Sequence, residues 1–293
     1  MKNIGFIGLG IMGKPMVLNL LKSGYKVKAF DLIDENIKEV VNHGAIGTKS
    51  LAEVAKESEV IISMLPNSPQ VLDVINGENG ILEHLEPNTY WVDMTTGAPK
   101  DARLIEKILF QKGVKFFDGP VSGGEVGAIN GTLSIMLGGD EKDLPKLQPI
   151  FDAVGKKVNF LGPVGSGQAA KMCNQIICAM NLHAIAEAFA LGEAEGLDLR
   201  VLTEVISGGA ANSWMLENFS EKIIAKDDNP GFKIDLQVKD LKIAIDSAFD
   251  KKVPVPGAML STSLYVEAQA HNQGDRGNHS LFLVYDRLAN LKK

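Results

Sequence analysis

The first half of the chain alternates short apolar, β-branched runs with amphipathic stretches. Runs at 3–7, 26–30, 59–64, 90–94, 115–118, 132–138 and 157–160 predict strands. The run Glu59–Met64, EVIISM, is apolar almost throughout, as a strand buried on both faces should be. Strand and helix patterns in alternation predict a mostly parallel sheet covered by helices on both faces. The character changes near Leu161-Gly162-Pro163. From Gln168 to Gly196 there is no Pro and no internal Gly except Gly192, which predicts one helix of about 40 Å. It is apolar almost all round but interrupted by Lys171, Asn174, Gln175, Asn181, His183 and Glu187. Those polar positions recur too often for a bilayer span, and the flanks carry no anchoring signal. A helix buried between domains or between subunits is the expectation. Helical patterns follow at 199–207, 212–225, 234–249, 256–272 and 278–290. The expected architecture is an α/β N-terminal domain over residues 1–163, then a long interdomain helix opening an all-α C-terminal domain over residues 164–293.

The ligand edge of such a sheet lies beyond the strand C-termini. Four loops fall there: Gly8–Gly13, Leu65–Pro69, Thr95–Pro99 and Pro120–Gly127. The first is the most informative. Ile4, Phe6 and Ile7 lead into Gly8-Leu9-Gly10-Ile11-Met12-Gly13, and a helical pattern with Met16, Val17, Leu20 and Leu21 follows at once. Strand, tight glycine turn and helix in that order form a dinucleotide-binding fingerprint. The helix start would hold the pyrophosphate. The second strand ends at Asp31, where a carboxylate hydrogen-bonds the adenosine ribose and repels a 2′-phosphate. No Arg follows among Leu32, Ile33 and Asp34, so the expected cofactor is NAD rather than NADP. Asp34 can cap the next helix, which leaves Asp31 for the ribose.

Composition narrows the function classes. The 293 residues carry 30 Lys and Arg against 36 Asp and Glu, a net charge of −6, with 45% hydrophobic residues. Basic pairs such as Lys156-Lys157, Lys251-Lys252 and Lys292-Lys293 are scattered, so a nucleic-acid surface is not indicated. Two cysteines, Cys173 and Cys178, lie in the apolar helix and form neither a disulfide framework nor a CxxC site. No signal peptide is read at the start, because residues 1–13 are the first strand and phosphate loop. A cytoplasmic protein with no membrane partner is the expectation.

Three further places could carry chemistry. Asp118-Gly119-Pro120-Val121-Ser122-Gly123-Gly124 is a second glycine-rich loop after a strand. The Ser122 hydroxyl and the N–H groups of Gly123 and Gly124 suit a small carboxylate, although a plain turn has the same composition. Lys171 lies one turn into the apolar helix, with Asn174 and Gln175 on the same face. Such a lysine is ordinarily paired or snorkelling. Desolvation and a cationic nicotinamide would instead lower its pKa and let it exchange a proton with a substrate oxygen. Lys239 is a second lysine on a mostly apolar helix, and its plain reading is a charge paired with Asp240 or Asp235. His43, His84, His183, His271 and His279 show no metal-ligand spacing, and Trp214 and Phe232 read as core or pocket walls.

Taken together, GLGIMGKPM, DGPVSGG, GxGxxxKxxNQ from Gly165 to Gln175, and KDLxxA from Lys239 to Ala244 resemble the β-hydroxyacid dehydrogenase family over essentially the whole chain. The resemblance implies a Rossmann domain and an all-helical domain bridged by one long helix, and a homodimer or homotetramer. It implies a catalytic Lys171 supported by Asn174, with the substrate bound by Ser122, Gly123, Gly124, Lys171 and Asn174. Cofactor contacts are implied for Gly8, Leu9, Gly10, Ile11, Met12, Gly13, Asp31, Leu65, Pro66, Thr95 or Thr96, and Lys239. No metal is implied. Within the family, MLPNSP, GENGI and PGFKIDL resemble the tartronate semialdehyde reductase branch. Phe30-Asp31-Leu32 and Ser213-Trp214 resemble the 3-hydroxyisobutyrate dehydrogenase branch. Succinic semialdehyde and glyoxylate reductases carry the same chemistry. A non-catalytic dinucleotide-binding protein is the rival of a different class, and retention of Lys171 and Asn174 speaks against it. The chain is too short for a 6-phosphogluconate dehydrogenase.

Overall fold

A computed structural model describes residues 1–290 and divides the chain into two compact units, Met1–Lys171 and a second from Met172 on. In the first unit the elements run β1 Asn3–Ile7, α1 Gly13–Lys22, β2 Lys26–Phe30, α2 Asp34–Val41, β3 Ile46–Gly47, α3 Leu51–Ala55, β4 Val60–Ser63 and α4 Ser68–Asn76. They continue with β5 Tyr90–Asp93, α5 Pro99–Phe110, β6 Lys115–Asp118, β7 Val121–Ser122, α6 Gly124–Asn130, β8 Leu133–Gly138, α7 Leu144–Val154 and β9 Gly155–Gly162. The sheet order is β3-β2-β1-β4-β5-β6-β8-β7, with β9 beside β8. The path from β3 to β6 is parallel, and β8 is antiparallel to β6 and β7.

Side-chain alternation builds a core on each face of the sheet. Ile4, Phe6, Val60 and Ile62 pack with Met16, Val17 and Leu20 of α1 and with Ile150 and Phe151 of α7. Ile7, Ile61 and Trp91 point the other way, onto Val71 and Ile75 of α4 and Ile105 and Leu109 of α5. Adjacent residues of one strand thus enter opposite cores, which is why β4 needs an unbroken apolar run. The seven strands expected from the pattern are present. The two-residue strands β3 and β7 were not expected, because two residues carry no period.

The long helix α8 spans Ser166–Ala194, about 44 Å at 1.5 Å per residue. The division between units falls inside it, after Lys171, rather than at the composition change ahead of it. Its first turn is bonded to the sheet unit, as described below. Within the single chain α8 is only partly buried: Ile177 and Leu191 are 60% and 65% exposed. Its buried positions include three polar ones, Gln168, Lys171 and Gln175. By length and composition α8 is the one described helix that could cross a membrane, and the core helix of a soluble protein passes the same test.

The second unit continues with α9 Leu199–Ser207, α10 Trp214–Ile224, α11 Ile234–Lys251, α12 Pro256–Ala270 and α13 Phe282–Leu288. Its core gathers Ala179, Ala186, Ile234, Leu241, Ala258 and Tyr265, and a second cluster holds Ile185, Phe189, Leu216 and Ile223. The helix expected over 278–290 is a 3-10 turn, Asn278–Leu281, followed by α13, with non-helical backbone at Ser280. Lys292 and Lys293 lie outside the described residues.

Candidate active site

The glycine turn is shaped for an anion. Gly8 adopts φ +98° and donates its N–H to the Phe30 carbonyl at 3.0 Å. A β-carbon on Gly13 would collide with the Gly8 carbonyl oxygen, so α1 can start this close to the turn only with glycine there. A β-carbon on Gly10 would meet nothing within 4 Å, so the space beside it is open. The first turn of α1 has no side-chain cap and no acidic residue. Its leading N–H groups and positive helix end therefore lack a protein counter-charge, which fits a pyrophosphate.

Leu9 and Asp31 are engaged with each other. Leu9 is buried and its N–H donates to Asp31 Oδ2 at 2.6 Å, so that N–H is not available to phosphate. Asp31 is not free either: Oδ1 accepts from Ile33 N at 2.8 Å and Asn36 Nδ2 at 3.3 Å. Asp34 makes no cap, because it is the first residue of α2 and the position before it, Ile33, has no side-chain bond. Asp31 itself shapes the turn into α2, and only Oδ2 keeps a lone pair for a ribose hydroxyl.

Behind the ligand edge lies a buried polar network. Asp93 and Asp118 are register partners on β5 and β6. Asp93 Oδ1 accepts from Ser63 Oγ at 2.8 Å and from Thr95 N at 3.1 Å. Burial pushes its carboxyl up to about 6, with repulsion from Asp118 adding to the rise. The fully buried Thr95 accepts from Leu65 N at 2.9 Å. Its hydroxyl thus fixes the Leu65-Pro66 loop instead of facing a cofactor, whereas Thr96 is half-buried. Asp118 accepts from Gly165 N and Gln168 N, both at 2.8 Å. Burial raises its carboxyl to about 6, and these N–H bonds oppose the rise. Gln168 Nε2 donates to the Thr95 carbonyl at 2.7 Å, and its Oε1 accepts from Gly97 N at 2.8 Å. The ends of β5 and β6, the loop after β4 and the first turn of α8 are thereby one bonded block. Lys171, 7% exposed, is one turn beyond Gln168.

The second glycine loop leaves β6 at Asp118. Ser122 is half-buried in β7, Gly123 and Gly124 take φ +132° and +61°, and α6 starts at Gly124 with no side-chain cap. Two successive glycine N–H groups beside a hydroxyl make a nest for a carboxylate. In the second unit, Asn174 Nδ2 donates to Gln175 Oε1 at 2.9 Å and to Cys178 Sγ at 3.4 Å. Gln175 Nε2 donates to Asp240 Oδ2 at 2.6 Å, and Lys239 is ion-paired with Asp240 at 3.0 Å. Trp214 is neither core nor enclosed: it is 58% exposed at the start of α10, edge-on to Phe219. The roles of Asp93, Asp118 and Gln168 were missed in the sequence, where an Asp ending a strand before a glycine loop was the available signal.

Residues 3–162 match the NAD binding domain of 6-phosphogluconate dehydrogenase, and residues 165–285 match the family described as NAD-binding of NADP-dependent 3-hydroxyisobutyrate dehydrogenase. The chain is 36% identical over 289 residues to 2-hydroxy-3-oxopropionate reductase of Escherichia coli, covering 99% of both chains. The chain belongs to the β-hydroxyacid dehydrogenase family. This β-hydroxyacid dehydrogenase is also 39% identical over 272 residues to NAD-dependent L-serine dehydrogenase of Pseudomonas aeruginosa, covering 90% of this chain and 91% of the relative. Among solved structures it resembles Mycobacterium tuberculosis 3-hydroxyisobutyrate dehydrogenase with L-serine, with a TM-score of 0.89, 32% identity and full coverage of both chains. It is a nicotinamide-dependent oxidoreductase acting on CH–OH groups.

Two outcomes are expected of the site. Gly13→Ala should lower unfolding stability by about 2 kcal/mol or more, because backbone blocks the new methyl. Gly10→Ala should leave stability unchanged and weaken NADH binding at least about 10-fold, the methyl filling ligand space. Urea unfolding and fluorescence titration separate the two, and equal effects on both quantities would contradict the reading. Asp93 supplies the second outcome. Its raised pKa means the folded state keeps a proton that the unfolded chain loses between about pH 4 and 6, so stability falls as pH rises through that window. Asp93→Asn should therefore gain on the native protein by up to about 3 kcal/mol at pH 7.5 relative to pH 4. A gain that is the same at both pH values would contradict it.

Proposed function

We propose that the protein uses NADH to reduce a small β-semialdehyde carboxylate, with tartronate semialdehyde going to glycerate as the first choice. The observation that carries this is the bonded block at the strand ends, which ties the lysine-bearing turn of α8 to the strand that feeds the Ser122–Gly124 loop. When bound, NADH supplies the hydride that reaches the aldehyde carbon. Gly10, Ile11, Met12 and Gly13 would hold its pyrophosphate, Asp31 Oδ2 would take an adenosine ribose hydroxyl, and Leu65, Pro66 and Thr96 would supply further cofactor contacts. The carboxylate of Asp31 and the absence of an Arg after it favour NAD over NADP.

The substrate carboxylate docks on Ser122, Gly123 and Gly124, whose donors fix where the carboxylate sits and so where the aldehyde is presented. Lys171 Nζ gives a proton to the aldehyde oxygen as negative charge develops there, so aldehyde, hydride and proton together give the primary alcohol. In the reverse direction neutral Lys171 accepts the hydroxyl proton. Asn174, one turn along α8, holds the substrate hydroxyl, and Lys239 is assigned to the cofactor by its motif. The E. coli relative named above supports tartronate semialdehyde. Ser213-Trp214 favours a second reading, 3-hydroxyisobutyrate or another β-hydroxy acid such as L-serine.

The chain is further proposed to form a homodimer or homotetramer. Helix α9 buries none of its residues and leaves Val201 and Val205 exposed, as a helix awaiting a second copy would.

Lys171→Ala should bind NADH as the native protein does and lose at least about 100-fold in kcat, the range for a general acid. A panel of tartronate semialdehyde, 3-hydroxyisobutyrate and L-serine with NAD(H) and NADP(H), read at 340 nm, ranks the substrates. Near-native kcat in the variant would contradict the role of Lys171.

A further inference from the structure

Asp118 stands between the two halves of the proposed chemistry. It ends β6, the strand that leads into the Ser122–Gly124 loop, and its two carboxylate oxygens accept from Gly165 N and Gln168 N at 2.8 Å. These N–H groups belong to the start of α8 and would otherwise be orphaned. A buried anion there also meets the positive end of the helix, and hydrogen bonds to a charged acceptor are the strong kind. Room for the contact is made by glycine. A β-carbon on Gly138 would collide with Asp118 Oδ1, and one on Gly167 would lie 3.0 Å from Oδ2.

Gln168 closes the arrangement from the other side. Its side chain is 1% exposed, and both ends of its amide are used, one on the Thr95 carbonyl and one on Gly97 N. Lys171 is three residues further, on the same side of the helix. Neither Asp118 nor Gln168 has an atom left over for substrate: one side chain is fully buried and the other almost so.

We infer that Asp118 and Gln168 are positioning residues for proton transfer. Asp118 anchors the first turn of α8 to the strand that carries the Ser122–Gly124 loop, and Gln168 ties the same turn to the Thr95–Gly97 loop. Together they fix where the Lys171 amino group stands relative to a docked substrate. The inference rests on Lys171 being the proton donor. A displacement of about 1 Å is enough to cost up to about 100-fold in rate, so two clamps on one turn have a kinetic consequence even if the fold survives their loss.

The test is a double-mutant cycle on the full-length enzyme. Gln168→Met keeps volume and removes both amide bonds, and Asp118→Asn keeps shape and replaces one acceptor oxygen with a donor. In the native background each should lower kcat about 10- to 100-fold, with KM for NADH changing less than about threefold. Circular dichroism checks the fold, and either variant alone suffices if the other does not fold. In the Lys171→Ala background, Gln168→Met should lower kcat by less than about twofold, because the group it positions is gone. An equal loss in both backgrounds, or unchanged kcat in the folded variants, overturns the inference. Near-native kcat in the Lys171→Ala single variant overturns the proton-donor reading and the inference with it, and that result is read from the single variant alone.

Discussion

A buried carboxylate at the end of one strand holds the first turn of the longest helix. Asp118 takes N–H groups of α8, and Gln168 on that same turn grips the loop after β5. Burial of Asp118 and of its neighbour Asp93 is costly, as the rise of both carboxyls to about 6 indicates. Proteins accept such costs where geometry matters more than stability. Without that anchor the first turn of α8 would lose its tie to the end of β6 and keep only the Gln168 bonds to the loop after β5.

The same logic explains an inversion in α8. An amphipathic helix normally buries apolar residues and exposes polar ones. In its first half α8 buries Gln168, Lys171 and Gln175 while leaving Ile177 exposed. Gln168 and Gln175 spend their buried amides on hydrogen bonds, and Lys171 is the proposed proton donor. The exposed apolar ones, like Val201 and Val205 on α9, are what a second copy of the chain would cover in the proposed oligomer.

Much of the fold was legible because its signals are local. A strand buried on both faces needs a continuous apolar run, and Glu59–Met64 supplies one. A turn that meets a helix start needs Gly8 and Gly13, and both stand in the first dozen or so residues. What was not legible depends on neighbours far away in sequence. Asp31 read as free because its partner Leu9 N comes from another loop. Thr95 read as a cofactor contact because nothing local announces its bond to Leu65 N. Gln168 looked like one polar residue in an apolar helix, and its two partners lie more than 70 residues away in sequence. Trp214 read as core or pocket wall from its type alone, and at 58% exposed it is not core.

In the proposed reaction the donors of the Ser122–Gly124 loop hold the carboxylate end of one small substrate, and the Lys171 amino group addresses its hydroxyl end. A crystal structure of the enzyme with NADH and a bound β-hydroxy acid tests this most directly. The expected result has the carboxylate accepting from Ser122 and the glycine N–H groups and the β-hydroxyl within hydrogen-bond distance, about 3 Å, of Lys171 Nζ. A carboxylate bound elsewhere, or Lys171 Nζ turned away from the hydroxyl, would contradict it.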